Sequence, residues 1–381
     1  MGRPILVNRK GEYMLKIIQE DKKKENISKI KEICDNMGLP VFILGGGTYG
    51  RIVANYLKNM GISAPILFTE DDGFVSEEKR KEGIIPFSEY SSRYGSMAPL
   101  VFGIYDYRIV LRIKKEYKNI ISNMFDFHFA VVNGERVDWN KEYVMDNFKL
   151  FEHTYNLLSS DKSKEIMNAY LNAAVAGEFH ELYEKYVDTV PYFNDKIKHK
   201  KIAKLFDCGA FDGDSAHDFA NVFCDYECIY EFEPDLANIK KIQNRIINEN
   251  IRDIVIINKG VWSETTTLSF VSEGKSSSNI SECGDSSINV IKLDDMYDCF
   301  SANSLIKMDI EGSELEALKG ASKVISQISP SLAICVYHKR EDLITIPQYI
   351  ESLVTPGTYN YYIGYQGVDL AELVYYAVRT Q

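Results

Sequence analysis

Ala203–Phe219 reads AKLFDCGAFDGDSAHDF, and the reading of this stretch decides the fold. Leu205-Phe206 form the apolar end of a short buried strand. Asp207, Gly209, Gly213 and Asp214 form a turn, and helical spacing begins near Ser215. Glycine takes positive φ without a Cβ clash, so the chain can bend tightly and lie close to a ligand. The free N–H groups at a helix start favour an anionic or polar ligand. Carboxylates at both edges of the turn, Asp207 and Asp214, would repel a pyrophosphate. They suit a ligand with ammonium and hydroxyl groups. S-adenosylmethionine (SAM) has both, together with a sulfonium cation and no phosphate. Read alone, the stretch also fits an ordinary β–α turn with an Asp or Ser cap.

Downstream, strands and helices alternate with short links, the pattern of a parallel α/β sheet. A strand over Cys228-Ile229-Tyr230 ends in Glu231-Phe232-Glu233-Pro234, with Glu233 twenty residues after Gly213. A carboxylate there can accept both ribose hydroxyls of a nucleoside. A third strand, Ile254–Ile257, ends in Asn258-Lys259-Gly260, where an adenine would stack. Thr265–Ser269 and the run SSSNIS suggest a β excursion. A fourth strand, Leu305–Met308, closes in Asp309-Ile310-Glu311-Gly312-Ser313 and leads into one helix over Glu314–Ile325. A fifth, Leu332–Tyr337, delivers His338. Tyr361–Tyr365 and Leu373–Val378 fit a closing antiparallel hairpin. Open sheets bind ligands at the carboxyl ends of their strands. Asp207, Glu233, Asp309 and Glu311 are therefore expected around one crevice.

The segments PYFNDKI, LFDCGAFDGDS, YEFEPD, SLIKMDIEGSELEALKGA and LAICVYHKREDLITIP, all within 191–381, resemble the FkbM-type family of SAM-dependent methyltransferases. The resemblance implies a class I methyltransferase fold with SAM at the first β–α turn, and a hydroxyl acceptor on a sugar, glycolipid or polyketide. The SAM contacts expected are Asp207, Gly209, Gly213, Asp214, Ser215, Glu233, Asn258 and Gly260. Candidates for the proton-accepting group are Asp309, Glu311 and His338. Asp309 and Glu311 are also of the type that holds a divalent cation, although this reading assigns no metal. The chain departs from the family at Gly364-Tyr365-Gln366, where an Arg-His pair is often found, so no role is carried over for that histidine.

The N-terminal half lies outside this resemblance. An apolar stripe (Ile17, Ile18, Ile27, Ile30, Ile33) predicts amphipathic helix over 12–37. Val41–Leu44 then runs into Gly45-Gly46-Gly47-Thr48-Tyr49-Gly50, and Glu70 follows a strand over Pro65–Phe68. Gly45, Gly47 and Gly50 with Glu70 match a dinucleotide fingerprint. They fit equally a Rossmann-like scaffold that holds no nucleotide. Further strands are expected near Leu100–Gly103 and Ile121–Phe125. Residues 140–200 read as helical, with a break at Val190-Pro191. The expected division is 1–38 N-terminal helices, 39–135 Rossmann-like domain, 136–190 helical connector and 191–381 methyltransferase domain.

The chain has 381 residues and a net charge of −11, which argues against broad capture of nucleic acid or anionic membrane. No apolar run approaches a membrane span, and the N-terminus has too short an apolar core for a signal peptide. The seven cysteines are odd in number and scattered, as in a reducing cytoplasm. The expected partner is a small-molecule or glycan acceptor, and an oligomer is left open. The main alternative is a nucleotide- or nucleotide-sugar-binding regulatory or assembly protein working through the N-terminal glycine loop. An oxidoreductase is a further alternative, but no Tyr-x-x-x-Lys beside that loop supplies a proton relay.

Overall fold

The structure is a computed structural model that describes residues 14–17, 22–127, 129–132, 135–137, 139–177, 179–188, 190–271, 279–280, 286–367 and 372–380. Ile18, Cys283 and most of the SSSNIS run lie outside the described residues.

The N-terminal sheet holds β1 (Val41–Leu44), β2 (Ile66–Glu70), β3 (Ile85–Pro86), β4 (Leu100–Phe102) and β5 (Met124–Phe125), ordered β3-β2-β1-β4-β5. All its pairings are parallel. Every residue of β1 is buried, as expected of a central parallel strand covered on both faces. Helices Lys22–Met37 and Thr48–Asn59 bury Ile27, Ile30, Val53 and Leu57 with Val41 and Ile43. A short hairpin, β6 (Ala130–Val132) and β7 (Glu135–Val137), follows. Four helices then span Lys141–Asp146, Phe148–Leu157, Asp161–Ala176 and His180–Tyr186.

The C-terminal strands are β8 (Lys204–Cys208), β9 (Cys228–Phe232) and β10 (Ile254–Ile257). A side sheet follows: β11 (Gly260–Val261), β12 (Thr266–Val271), β13 (Asn279–Ile280) and β14 (Ser286–Ile291). The chain returns through β15 (Ser304–Met308), β16 (Ser331–Cys335), β17 (Tyr359–Tyr365) and β18 (Leu373–Arg379). The seven-stranded order is β10-β9-β8-β15-β16-β18-β17. The first five are parallel, and β18 pairs antiparallel with both β16 and β17. Sequence order reverses between β8 and β15, so the switch-point crevice opens at their carboxyl ends.

The helix expected over Glu314–Ile325 is two helices, Glu314–Lys319 and Ser322–Gln327. An added Cβ on Gly320 would lie 2.0 Å from the Trp262 carbonyl oxygen. The Gly320 carbonyl accepts from Asp294 N at 2.9 Å, while the Asp294 carboxylate accepts from Lys323 N and Val324 N. Asp294 thus starts a new helix where the spacing alone predicts a continuous one.

The two halves are joined along the β17 edge. Leu158 bridges Tyr361, and Val187 bridges Tyr365. Ser159 N donates to Tyr361 O at 2.8 Å, and Asp188 N donates to Tyr365 O at 2.7 Å. The connector therefore covers a sheet edge that would otherwise be open to pairing. One apolar cluster takes in Leu44 and Phe102 from the N-terminal sheet, Phe151 and Tyr170 from the connector, and Ile334 and Tyr375 from the C-terminal sheet. Among the described residues no helix is long and apolar enough to cross a membrane.

Candidate functional site

The crevice begins at the turn after β8. Gly209 takes φ +86°, and a Cβ there would lie 2.0 Å from the Asp309 carbonyl oxygen. This position needs glycine on both counts, and it lets the loops after β8 and β15 touch. Phe211 (φ +47°) and Gly213 (φ +83°) complete the bend, with Gly213 at the start of helix Asp214–Val222. Asp214 is exposed and accepts from Ser215 N at 2.7 Å.

Glu233 stands at the tip of β9, buried. Its carboxylate accepts from Phe211 N (3.0 Å), Asp235 N (2.8 Å) and Asn238 Nδ2 (3.4 Å). Burial pushes this carboxyl up, while the Asp235 and Phe211 amides and Asn238 draw it down, for a net rise. Asn258 Nδ2 donates to the carbonyls of Glu233 and Pro234, tying the β10 tip to the β9 tip. Gly260 sits in β11 against Val290, close beside Pro234. The residues expected around a nucleoside are thus brought to adjacent strand tips.

Asp207 lies under the turn rather than at its open edge. Register places Glu231, Asp207 and Lys307 side by side across β9, β8 and β15. Lys307 Nζ lies 2.8 Å from Asp207 Oδ1 and donates to Gly209 O at 3.0 Å, with both side chains buried. The lysine thereby fixes the turn from below. Glu231 is fully buried, and neither carboxylate oxygen has a hydrogen-bond partner. Burial first, and the charge of Asp207 second, push it well above the usual carboxylate range. It is held neutral.

The second cluster gathers at the carboxyl ends of β15 and β16. Asp309, partly exposed, accepts from Tyr192 OH at 2.8 Å and Tyr337 OH at 3.1 Å. Burial would raise this carboxyl, but His338, Lys307 and the two phenols outweigh it and hold it low, hence ionised. His338 is buried, with Nδ1 2.8 Å from Glu314 Oε1 and Nε2 3.3 Å from Asp309 Oδ1 and 3.7 Å from Glu311 Oε2. Burial pulls the imidazole down, yet Glu314, Asp309 and Glu311 together lift it to about 10. Glu311 is mainly desolvated. Despite the pull of His338, its carboxyl rises to about 7. Glu311 also holds φ +55°, a costly backbone for a non-glycine residue and one that concentrates at working sites.

Reasoning from sequence missed Lys307, Glu231, Glu314, Tyr192 and Tyr337. Lys307 did carry a signal, since a lysine inside the apolar strand SLIKM cannot be buried without a carboxylate partner. Glu314 reads as a first-turn helix acid, and nothing local distinguishes it from Glu316. Its partner, His338, lies in the loop after β16. The loop after His338 and the helix Asp342–Leu353 that follows are held from outside the sheet: the Arg340 guanidinium lies 4.2 Å from the Tyr143 ring centre, and Thr154 Oγ1 donates to Leu343 O.

In the N-terminal loop, Glu70 Oε1 accepts from Gly46 N at 3.0 Å, and Glu70 pairs with Lys79. The acid expected on a ribose is here held by a lysine as well as by its own loop, whereas Glu233 has no cationic partner among its hydrogen bonds to the described residues. A Cβ on Gly50 would lie 1.9 Å from Gly45 O, so this glycine serves close packing, whereas one on Gly47 would meet nothing within 4 Å.

Comparison with known proteins gives these arrangements a context. Residues 207–355 match the family described as the methyltransferase FkbM domain. The crystal structure of methyltransferase FkbM from Methylobacillus flagellatus KT aligns with a TM-score of 0.68 at 23% identity, over 92% of this chain and 93% of that one. At that identity the likeness establishes the fold, and it includes the N-terminal half. An rRNA methylase from Streptococcus thermophilus aligns at a TM-score of 0.32 and 12% identity, over 48% of this chain and 89% of that one, and carries no argument here. No curated protein matches the sequence. The FkbM resemblance read from the C-terminal half is borne out, as is the class I methyltransferase fold with its Rossmann-like parallel sheet.

Proposed function

We propose that this chain is a SAM-dependent O-methyltransferase acting on a hydroxyl of a sugar, glycan or related metabolite. The observation that carries this reading is the convergence of two acid-lined strand tips. Glu233 and the Gly209–Gly213 turn lie on one side of the β8–β15 switch point, and Asp309, Glu311 and His338 lie on the other. The donor set suits a cationic nucleoside. Glu233 would take the ribose hydroxyls, Asn258 and Gly260 the adenine edge, and Asp214 and Ser215 the polar groups at the helix start. Gly209 and Gly213 keep the backbone close, and Asp207 acts from beneath.

SAM, when bound, would supply a methyl group activated by its sulfonium, whose sulfur would keep the bonding pair when the methyl is transferred to the acceptor oxygen. The chain positions that oxygen, and positioning of this kind contributes roughly 7–11 kcal/mol. Glu311 receives the hydroxyl proton, because a carboxyl titrating near 7 is matched to that task at neutral pH. Asp309, fixed by two phenols, orients the hydroxyl. His338 holds the carboxylates in register and is itself too strongly protonated to be the base. Among the three candidates Asp309, Glu311 and His338, we rank Glu311 first because its carboxyl is raised to about 7.

The four-part division into 1–38, 39–135, 136–190 and 191–381 is retained within this proposal. Residues 39–135 act as scaffold, since Gly50 and Glu70 are committed to internal contacts. Cytoplasmic placement is part of the reading, supported by six free cysteines among the described residues. Incubation with SAM carrying a trideuterated methyl and a pool of sugars and nucleotide sugars tests it. The expected product is an alkali-stable methyl ether on a hydroxyl; label found only on nitrogen or as an alkali-labile ester contradicts it.

A further inference from the structure

We propose that the pocket behind Glu311 is a divalent-cation site built from Asp309, Glu314 and His338. One donor atom from each lies within 4.8 Å of the others, and the ring must turn from Glu314 Oε1, now 2.8 Å from Nδ1, for the three to close on one ion. Atoms that share an ion through bonds of ~2.1 Å sit about 3–3.5 Å apart, and His338 Nε2 is already 3.3 Å from Asp309 Oδ1.

Two acids and a histidine are by themselves no more than a local ion pair. Two features argue for more. The Glu314 side chain is wholly buried, and its Oε2 has no hydrogen-bond partner. The His338 side chain is 1% exposed, and its Nε2 makes no aligned hydrogen bond although it points at Asp309. Unpaired buried polar atoms are costly, so sites that keep them commonly serve a ligand. The rest of the frame is pinned: Glu314 Oε1 accepts from Ile310 N at 2.9 Å, and Asp309 is held by Tyr192 and Tyr337. Preset donors of this kind lower the cost of ordering an ion.

An ion binding here displaces the proton that His338 otherwise holds, and the freed imidazole nitrogen with two carboxylate oxygens suits Mn2+ or Zn2+ better than Ca2+, which prefers oxygen alone. Asp309 opens towards the crevice, so the ion would keep coordination positions free on that side. There it would bind an acceptor hydroxyl and ease loss of its proton to Glu311. This last role rests on the O-methyltransferase reading; the ion site does not.

The test uses the full chain, stripped of metal with a chelator, without SAM or acceptor. Mn2+ is titrated and followed by electron paramagnetic resonance, with native mass spectrometry on the wild type. The expected result is one Mn2+ per chain, displaced by Zn2+, with affinity falling by about 100-fold or more in His338→Gln and in the milder Asp309→Asn. Loss of a mere outer partner costs roughly 10–100-fold. Free Mn2+ throughout the wild-type titration overturns the proposal, and so does undiminished binding in folded variants. If Mn2+ binds as expected but no hydroxyl is ever methylated, the ion site stands and the acceptor reading falls.

Discussion

At the scale of single residues, two ionisable side chains define what the site can do. Glu311 titrates at about 7 against an ordinary value near 4.5. A carboxyl raised on folding stabilises the protein below the lower value, and that contribution is lost as pH rises through the higher one. Stability should fall between about pH 4.5 and 7, the range in which the proton-accepting form appears. We predict that kcat rises with pH through about 7. Glu311→Gln should lower kcat by roughly 10²–10⁴-fold and abolish this rising limb, with SAM affinity kept; a pH–rate profile of both enzymes checks it. Lys307 gives a structural counterpart. Removing one partner of a buried ion pair costs roughly 3–5 kcal/mol, because the other charge is stranded. Lys307→Met should lose about that much, read from urea unfolding midpoints. Asp309 and Glu311 could be picked from the sequence because acids at strand ends stand out locally. Glu314 and Tyr192 could not, since their meaning comes from residues 24 and 117 positions away.

At the scale of elements, the same kind of glycine turn serves two purposes. The turn after β8 presents a bend backed by Lys307 and Asp207. The turn after β1 closes on itself through Glu70 and Gly50. We predict that Gly50→Ala destabilises the protein by about 1–3 kcal/mol or more, since its Cβ would strike Gly45 O. Gly47→Ala should be tolerated in both melting temperature and methyl transfer. A nucleotide-using N-terminal loop would reverse the second result, with Gly47→Ala impairing function while the fold is kept. Strand positions and the closing β17–β18 hairpin were legible, because buried strands are short apolar runs and the hairpin is rich in tyrosine and branched residues. The break at Gly320 was not, since it depends on Asp294 and Trp262 from other elements.

At the scale of the whole molecule, the connector is the part least visible in sequence. Its helices read as a bridge between domains, yet Leu158 and Val187 extend the edge of the C-terminal sheet, and one apolar cluster runs through both halves. The same helices support the loop that carries His338. We predict a single cooperative unfolding transition by calorimetry, with no separate melting of the N-terminal half; two resolved transitions would show the join to be weak. The account as a whole stands on a nucleoside pocket at the tips of β8 and β9. Calorimetric titration of SAM into the wild type and into folded Glu233→Ala tests this most directly. The account predicts saturable one-to-one binding to the wild type and a loss of roughly 10–100-fold in the variant, the worth of a charge-assisted ribose contact. Absence of binding to the wild type, or equal affinity in both, would contradict it.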